Sequence, residues 1–255
     1  MSRRIGVVGA TGRMGSAVCD AVAADPDIEL VAAVSPRSAG TSVHGVTVAG
    51  ELRALADAHC DVVVDFTTPE AARLTLPWLA MHGMHAVVGT SGLGDDDLAE
   101  CRRSFSGSNC LVAANFAISA VLVMRFAELA APFFDTAEII EMHHDKKIDA
   151  PSGTAVATAR RMAAASDQWV ADPTRHESIP GSRGAAGPAG IRIHAVRMRG
   201  AVAHQEVILG ATGQSLTLRQ DSYDRTSFMP GVVLACKRVH EFPGVTVGLD
   251  ALLGV

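Results

Sequence analysis

The densest group of side chains that could do chemistry lies between Glu141 and Ala155, in the middle of the chain. Two histidines and two lysines come first, namely His143, His144, Lys146 and Lys147. Ser152-Gly153-Thr154 follows them, at the start of an alanine-rich stretch that is typical of a helix. Histidine and lysine can donate protons, and the N–H groups at a helix start attract carboxylates. The segment therefore indicates a pocket for a small di-acid that must gain a proton.

Plainer interpretations of the same segment remain. A metal site would need His143 and His144 to converge, but successive side chains of a strand point to opposite faces, and no third ligand stands at a usual spacing. We therefore predict no metal site. Each lysine alone could be a solvated charge, and Ser152 an ordinary helix cap. The concentration of these residues within twelve positions argues against that explanation for the whole group.

A glycine-rich turn near the N-terminus forms the second group, with the sequence Gly9-Ala10-Thr11-Gly12-Arg13-Met14-Gly15. It follows a short apolar run and precedes a helical one, which is the position of the G-x-x-G-x-x-G turn in dinucleotide-binding folds. Gly9 would permit the tight turn, Gly12 the close approach of a pyrophosphate, and Gly15 close packing of helix on strand. The alternative is a structural turn with no ligand. We expect a dinucleotide.

The end of the second predicted strand bears on which dinucleotide is used. A site that prefers NAD usually carries Asp or Glu there, to hold the ribose 2′-hydroxyl. Here the chain has Ser35-Pro36-Arg37, with no carboxylate and with an arginine that could meet a 2′-phosphate. Arg37 could equally be a solvated loop charge. The sequence favours NADPH, or tolerance of both NADPH and NADH.

Small or polar residues also follow the third, fourth and fifth predicted strands, in Phe66-Thr67-Thr68-Pro69, Gly89-Thr90-Ser91-Gly92 and Ala113-Ala114-Asn115-Phe116. Ligands of open α/β sheets lie outside the carboxyl ends of the strands. These segments could therefore line a cofactor site, although each could also be a plain turn or helix cap.

The elements that position these groups fall into two patterns. Short β-branched runs alternate with helical stretches up to residue 116, which predicts a Rossmann-like, doubly wound parallel sheet with strands at 5–8, 30–34, 62–66, 86–88 and 111–113. A second, α+β domain for substrate binding and oligomerisation is predicted at 117–226, with helices at 118–134 and 152–165 and a strand at 138–144. Its strands at 191–198, 202–209 and 215–220 suggest an antiparallel sheet.

The connections complete this organisation. Residues 172–190 are rich in glycine, proline and serine and predict a mobile surface loop. Residues 227–255 contain a helix at 227–240 and an apolar stretch at 245–249, and we expect this part to return to the dinucleotide-binding domain.

Composition limits the class of protein. The 255 residues are 48% hydrophobic and carry a net charge of −5, which permits a real core but no broad positive field for a nucleic acid partner. Five scattered cysteines form no C-x-x-C pair and should be reduced core residues. No apolar run approaches the ~20 residues that span a bilayer. We expect a cytoplasmic protein without a membrane partner.

The His143 to Ala155 segment resembles the signature of the 4-hydroxy-tetrahydrodipicolinate reductase family, in which two histidines, a lysine and then Asp-Ala-Pro-Ser-Gly-Thr-Ala follow a strand. The resemblance is specific and extends over nearly the whole chain. It includes Gly12-Arg13-Met14-Gly15, Asp65-Phe66-Thr67, Ala86-Val87-Val88-Gly89-Thr90, Asn115-Phe116, Arg199 to Val207, and Arg225-Thr226-Ser227-Phe228.

The resemblance implies an NAD(P)H-dependent oxidoreductase of lysine biosynthesis through diaminopimelate. Its reaction removes water from 4-hydroxy-2,3,4,5-tetrahydrodipicolinate and reduces the ring to tetrahydrodipicolinate. His143 would be the catalytic histidine and Lys147 the proton donor. The substrate carboxylates and the cofactor would then contact further residues: His144, Gly153 and Thr154 for the carboxylates, and Gly9–Met14, Gly89–Ser91 and Ala113–Phe116 for the cofactor. The family is commonly a homotetramer whose substrate-domain sheets join.

One departure and two alternatives stand beside this resemblance. Many family members carry an acidic and then a basic residue where this chain has Ser35 and Pro36, so cofactor preference is open. Another two-domain dehydrogenase, such as one acting on aspartate, would share the glycine turn but would not need the histidine and lysine segment. A non-catalytic dinucleotide sensor should lack a proton donor beside the nicotinamide.

Overall fold

The β-branched runs of the N-terminal part form the parallel sheet that the sequence predicts. The computed structural model describes residues 2–255. The chain divides into a first unit, which extends to Phe116 and includes Arg225–Val255, and a second unit, Ala117–Asp224. The strands of the first unit are β1 (Arg3–Val8), β2 (Ile28–Val34), β3 (Ser42–Val43), β4 (Val46–Ala49), β5 (Val62–Asp65), β6 (His85–Val88), β7 (Cys110–Val112) and β13 (Val245–Val247).

The first unit has a single eight-stranded sheet in the order β13-β7-β6-β5-β1-β2-β4-β3. All its strand pairs are parallel except the short edge pair of β3 with β4. The helices of this unit are α1 (Arg13–Ala24), α2 (Arg53–Asp57), α3 (Pro69–Met81), α4 (Asp95–Ser104), α7 (Met229–Arg238) and α8 (Asp250–Leu253). The predicted doubly wound class is confirmed.

The core of the first unit explains why its central strands lack alternation. Val62, Val63 and Val64 in β5 are all fully buried, and so are the three apolar residues of β6 that follow His85. A strand covered on both faces must be apolar at every position. Burial of each such valine side chain contributes roughly 1.5–3 kcal/mol. The five cysteines are also buried and free of disulfides, as expected.

The second unit has a mixed sheet with β8 (Thr136–His143) at its centre, and this corrects one prediction. Its other strands are β9 (Ala185–Ala186), β10 (Arg192–Arg197), β11 (Ala203–Ala211) and β12 (Gln214–Ser222), in the order β12-β11-β8-β10-β9. The antiparallel arrangement predicted for the strands at 191–198, 202–209 and 215–220 holds only for β11 and β12. The first of them, β10, pairs in parallel with β8 instead.

The physical reason is the helix between β8 and β10. The second unit has α5 (Ile118–Ala130) and α6 (Gly153–Ala165), and α6 lies in the chain between β8 and β10. A helical crossover joins parallel strands, so these elements form a βαβ unit. The connection from β10 to β11 then passes the end of β8, where the Met198 N–H donates to the carbonyl of His143 (3.0 Å).

Two further predictions concern the later part of the chain. Residues 172–190 contain little regular structure, only β9 and a 3-10 turn at Pro188–Gly190, as expected for a loop. The helix predicted at 227–240 corresponds to α7 with a 3-10 turn at each end. None of the helices within residues 2–255 has the length and apolar character needed to cross a membrane.

The glycine turn generates a test of the first unit's packing. A Cβ on Gly15 would lie 2.0 Å from the Gly9 carbonyl oxygen, so the predicted close approach of α1 is confirmed. We expect Gly15→Ala to lower the free energy of unfolding by about 1–3 kcal/mol, because backbone must move to admit the methyl group. Gly107→Ala is the matched control, since a Cβ there meets no atom within 4 Å. Equal midpoints for the two variants in urea unfolding would contradict the prediction.

Candidate active site

Strand β8 delivers the first site residue of the second unit. Side chains two positions apart on a strand share a face, and this places Glu141 beside His143. The Nδ1 atom of His143 lies 2.6 Å from Glu141 Oε2. Glu141 is fully buried, whereas the His143 side chain is 17% exposed. The histidine at the end of β8 is therefore held from behind by a carboxylate that has no contact with water.

The carboxylate of Glu141 joins three segments of the second unit. Both terminal nitrogens of Arg197, on β10, donate to it over 2.8 Å. The Ser152 N–H, at the start of α6, donates to Oε1 over 3.0 Å. Arg197 also donates to the Asp149 carbonyl (2.7 Å), in the loop between β8 and α6. Strand, loop and helix start are thus fixed to one buried group.

The charges of this network follow from its contacts. Burial raises the pKa of Glu141, but hydrogen bonds from Arg197 and His143 outweigh it, and the net pKa lies below its ordinary value. Burial also lowers the pKa of His143, and the carboxylate of Glu141 offsets this only in part. At neutral pH Glu141 is ionised and His143 is mainly the neutral imidazole.

Lys147 lies in the loop that follows β8. Its Nζ atom is 2.8 Å from both carboxylate oxygens of Asp149, and its backbone N–H donates to the His144 carbonyl (3.1 Å). The hydrogen bond from Lys147 holds the pKa of Asp149 below its ordinary value. The His144 side chain is exposed, with Nδ1 accepting from the Lys146 N–H (3.2 Å).

Helix α6 begins with an arrangement suited to an anion. Ser152 is the N-cap, and its hydroxyl accepts from the Ala155 N–H (3.2 Å). The preceding N–H groups, of Gly153 and Thr154, belong to the first turn, whose donors have no partner within a helix. A Cβ built on Gly153 meets no atom within 4 Å. The fold itself does not require glycine at this position, which leaves open space over the helix start.

The glycine turn of the first unit combines a left-handed glycine with an uncapped helix start. Gly9 has a φ of +76°, which favours glycine, and the Gly12 N–H donates to its carbonyl (2.8 Å). Gly12 is also the N-cap of α1 and provides no side-chain cap, in contrast to the Thr68 hydroxyl that caps α3. The first N–H groups of α1 therefore have no capping side chain, which suits the binding of an anion.

Three hydroxyl groups occupy the place where an NAD site carries its acid. Thr11 Oγ1 lies 2.7 Å from Ser35 Oγ and 3.0 Å from Ser38 Oγ. Ser35 is largely buried at the end of β2, while Arg37 is exposed in the 3-10 turn that follows. No side chain of this cluster carries a negative charge.

Asp65, at the carboxyl end of β5, is a buried acid that belongs to the family resemblance but was assigned no role from the sequence. Its Oδ1 atom accepts from the N–H (2.8 Å) and hydroxyl (2.6 Å) of Thr67 and from the Thr90 hydroxyl (3.2 Å). Burial raises the pKa of Asp65, and these neutral donors only partly offset it. The carboxyl group fixes the ends of β5 and β6 to each other.

The predicted cofactor residues differ in what they can present to a ligand. The side chains of Ala10, Thr90, Ala113 and Phe116 are buried. Exposed positions among the others are Thr11, Gly12, Arg13, Arg37, Ser91 and Ala114. Gly89 packs on Phe66, since a Cβ there would lie 2.0 Å from that ring. Within residues 2–255 no group of three or more acidic, histidine or cysteine side chains could hold a metal ion.

The second unit therefore brings His143 and the Lys147 loop together with the start of α6, and three members of the network were missed from the sequence. Glu141 could have been found, because alternation places it on the face of His143. Arg197 could not, since its position opposite His143 comes from the parallel pairing of β10 with β8. Asp149 belongs to the family signature, but no feature of the sequence assigned it a role.

Comparison with known proteins covers the whole chain. Residues 3–116 match the family model "Dihydrodipicolinate reductase, N-terminus", and residues 119–253 match "Dihydrodipicolinate reductase, C-terminus". Proteins named 4-hydroxy-tetrahydrodipicolinate reductase from Corynebacterium urealyticum and Thermobifida fusca are 47% and 48% identical, each over 99% of both chains.

Solved structures agree with the sequence matches. The dipicolinate-bound dihydrodipicolinate reductase from Paenisporosarcina sp. TG-14 superposes with a TM-score of 0.90 at 38% identity, covering 98% of this chain and 99% of that one. An amine dehydrogenase from Mycobacterium smegmatis, at 14% identity and a TM-score of 0.59, shares only the fold. The chain belongs to the dihydrodipicolinate reductase family and is an NAD(P)H-dependent 4-hydroxy-tetrahydrodipicolinate reductase of the diaminopimelate route to lysine.

Proposed function

We propose that the two units have different roles in this reaction, namely cofactor binding and substrate binding. The first unit holds the reduced cofactor along Gly9–Met14, Gly89–Ser91 and Ala113–Phe116. The second unit holds the dicarboxylate and controls the protons. The observation that carries this assignment is the network of Glu141, which fixes His143, the Lys147 loop and the start of α6 to one another.

The carboxylates of the substrate lie at the start of α6 in this proposal. The N–H groups of Gly153 and Thr154 donate to one carboxylate, and His144 contributes a further contact. The open space over Gly153 supports this, because a methyl group would fit there without touching the protein. The 38% identical reductase was solved with dipicolinate, which is itself a ring di-acid, and this supports a di-acid as the kind of ligand that this chain binds.

Proton supply is assigned to Lys147. The reaction consumes one hydride and one proton, and it releases water. The nicotinamide supplies the hydride when it is bound. Lys147 supplies the proton from Nζ, and Asp149, which accepts from that atom, keeps the ammonium group in place. His143 is mainly neutral. In this proposal its Nε2 atom, which Glu141 does not bind, faces the ring of the substrate.

Cofactor preference is proposed to favour NADPH at least as much as NADH. The cluster of Thr11, Ser35 and Ser38 presents hydroxyl groups instead of a carboxylate, so nothing there repels a 2′-phosphate. Arg37 is exposed in the 3-10 turn that also contains Ser38, and in this proposal it contacts the 2′-phosphate. A charge-assisted hydrogen bond is worth about 1.5–3 kcal/mol, which corresponds to tenfold or more in affinity.

Assembly and location complete the proposal. Strand β12 is a nine-residue edge strand, and long edges are usually covered. A homotetramer in which the sheets of second units join would cover it. The buried free cysteines fit a reducing compartment, and we propose the cytoplasm.

The role of Lys147 gives the first test. Lys147→Ala should lower turnover by about 10²-fold or more while NADPH still binds, because general acid catalysis is typically worth 10²–10⁴. Lys146→Ala removes a charge from the neighbouring, exposed position and should retain most of the turnover. Steady-state kinetics with titration of NADPH would check both. An unchanged turnover in Lys147→Ala would remove this residue from the mechanism.

The start of α6 gives the second test. Gly153→Ala should raise the KM for the dicarboxylate, because the added methyl group occupies the space in which the carboxylate lies. The same change should leave the free energy of unfolding equal or raise it by about 0.4–1 kcal/mol, since alanine restricts the unfolded chain. Cofactor affinity serves as an internal control. A stable variant with the parent KM would show that the carboxylate binds elsewhere.

The third test concerns Arg37. We expect a parent kcat/KM for NADPH at least equal to that for NADH. Arg37→Ala should reduce the NADPH value about tenfold and leave the NADH value unchanged, since only NADPH carries the 2′-phosphate. Arg53→Ala removes another exposed arginine of the same unit and should change neither. A strong NADH preference in the parent would contradict the proposed cofactor preference. An unchanged kcat/KM for NADPH in Arg37→Ala would contradict the proposed role of Arg37.

A further inference from the structure

Strand β8 carries two glutamates with matching partners on opposite faces. Glu141 pairs with Arg197 and His143. Glu138 pairs with Arg183 (2.6 Å) and with His194 Nε2 (2.7 Å). Of the two histidines, only His143, the partner of Glu141, lies at the candidate active site. The chain therefore contains an internal comparison between a carboxylate that binds the site histidine and one that does not.

The hydrogen bond from His143 determines which ring nitrogen carries the proton. An ionised carboxylate can only accept, so the Nδ1 atom 2.6 Å from Glu141 Oε2 must be the donor. A neutral imidazole carries one N–H. In the neutral ring, Nε2 is consequently unprotonated and acts as a hydrogen-bond or proton acceptor.

Glu141 remains an acceptor because its other partners keep it ionised. Arg197 contributes a full positive charge through two parallel hydrogen bonds, and Ser152 adds a backbone N–H. The charged groups that face His143 are Glu141 on its own strand, Lys147 in the loop and Arg197 on β10. The two cations and the burial of the ring together outweigh Glu141, which keeps the ring mainly neutral at pH 7.

We propose that Glu141 is a positioning residue that fixes His143 as the Nδ1–H tautomer, so that Nε2 serves the dicarboxylate as an acceptor. This rests on the proposed binding of substrate beside His143. It divides the proton chemistry between two residues. Lys147 donates the proton that the reaction consumes. Nε2 of His143 accepts the proton that the substrate loses when water is eliminated and returns it to the departing hydroxide, so this second transfer adds no net proton.

Glu141→Gln separates orientation from mere packing. The glutamine has nearly the same shape, but its amide N–H₂ group can donate to Nδ1 and stabilise the opposite tautomer, with the proton on Nε2. We expect turnover to fall about 10²-fold or more, the size of a lost acid–base contribution. Glu138→Gln makes the same change of charge on the other face and should retain the parent turnover.

The decisive readout is the tautomer itself. In ¹⁵N NMR of the parent reductase, with the His143 signals identified from their loss in His143→Gln, Nε2 should show the shift of an unprotonated nitrogen above the pKa of the ring. Glu141→Gln should reverse or mix the tautomers, and Glu138→Gln should not. A protonated Nε2 in the neutral parent ring would overturn the proposal, as would a Glu141→Gln spectrum equal to that of the parent.

The pH profile provides a second readout that structural damage alone would not change. The active imidazole is neutral, so kcat/KM should fall about tenfold per pH unit below the pKa of His143. That pKa lies below the ordinary 6.5. Glu141→Asp retains the carboxylate, so part of this decrease in kcat/KM at low pH should remain. Glu141→Gln should lose it. A parent profile without this decrease would also overturn the proposal.

These measurements distinguish the inference from the proposed function. The tautomer of the parent is read without turnover, so it decides the inference even if Glu141→Gln does not fold. Failure of the proposed function would instead appear as normal turnover in Lys147→Ala. The two outcomes are independent of each other.

Discussion

A carboxylate that has lost all contact with water is the constraint on which the site of the second unit depends. An ionised carboxylate in a protein interior costs several kcal/mol unless it is paired and hydrogen-bonded. Glu141 meets this cost through donors from three different segments, on β8, β10 and the start of α6. Because these donors come from different segments, one buried carboxylate links the positions of all three. The loop between β8 and α6 is held as part of the same set.

Asp65 in the first unit shows what the same burial does without a cation. Its hydrogen bonds come from the neutral hydroxyl and amide groups of Thr67 and Thr90, and burial dominates its pKa. Glu141 is equally inaccessible, yet the guanidinium of Arg197 reverses the direction of its shift. The two pKa values shift in opposite directions because the hydrogen-bond partners differ, although both carboxyl groups are buried. Asp65 fixes the ends of two strands. Glu141 fixes segments as well, and its negative charge also acts on the pKa of His143.

Prediction from the sequence succeeded where the signal is local. The period of apolar residues gave the parallel sheet, and the glycine turn gave the start of α1. It failed where pairing depends on distant segments, since the neighbouring strands β10 and β11 flank β8 instead of pairing with each other. Arg197 was missed for that reason, because its register with His143 exists only in the folded sheet. The signature resemblance found the chemistry but not the residues that orient it.

The order of segments along the chain has a consequence for synthesis. The first unit needs Arg225–Val255, whose strand β13 pairs with β7, whereas the second unit is one continuous segment. Domains generally fold as units, and the N-terminal end of a chain leaves the ribosome first. The segment of the second unit is therefore fully synthesised while the parallel sheet of the first still lacks its edge strand. Until residues 245–247 are synthesised, β7 has an open edge where β13 will pair.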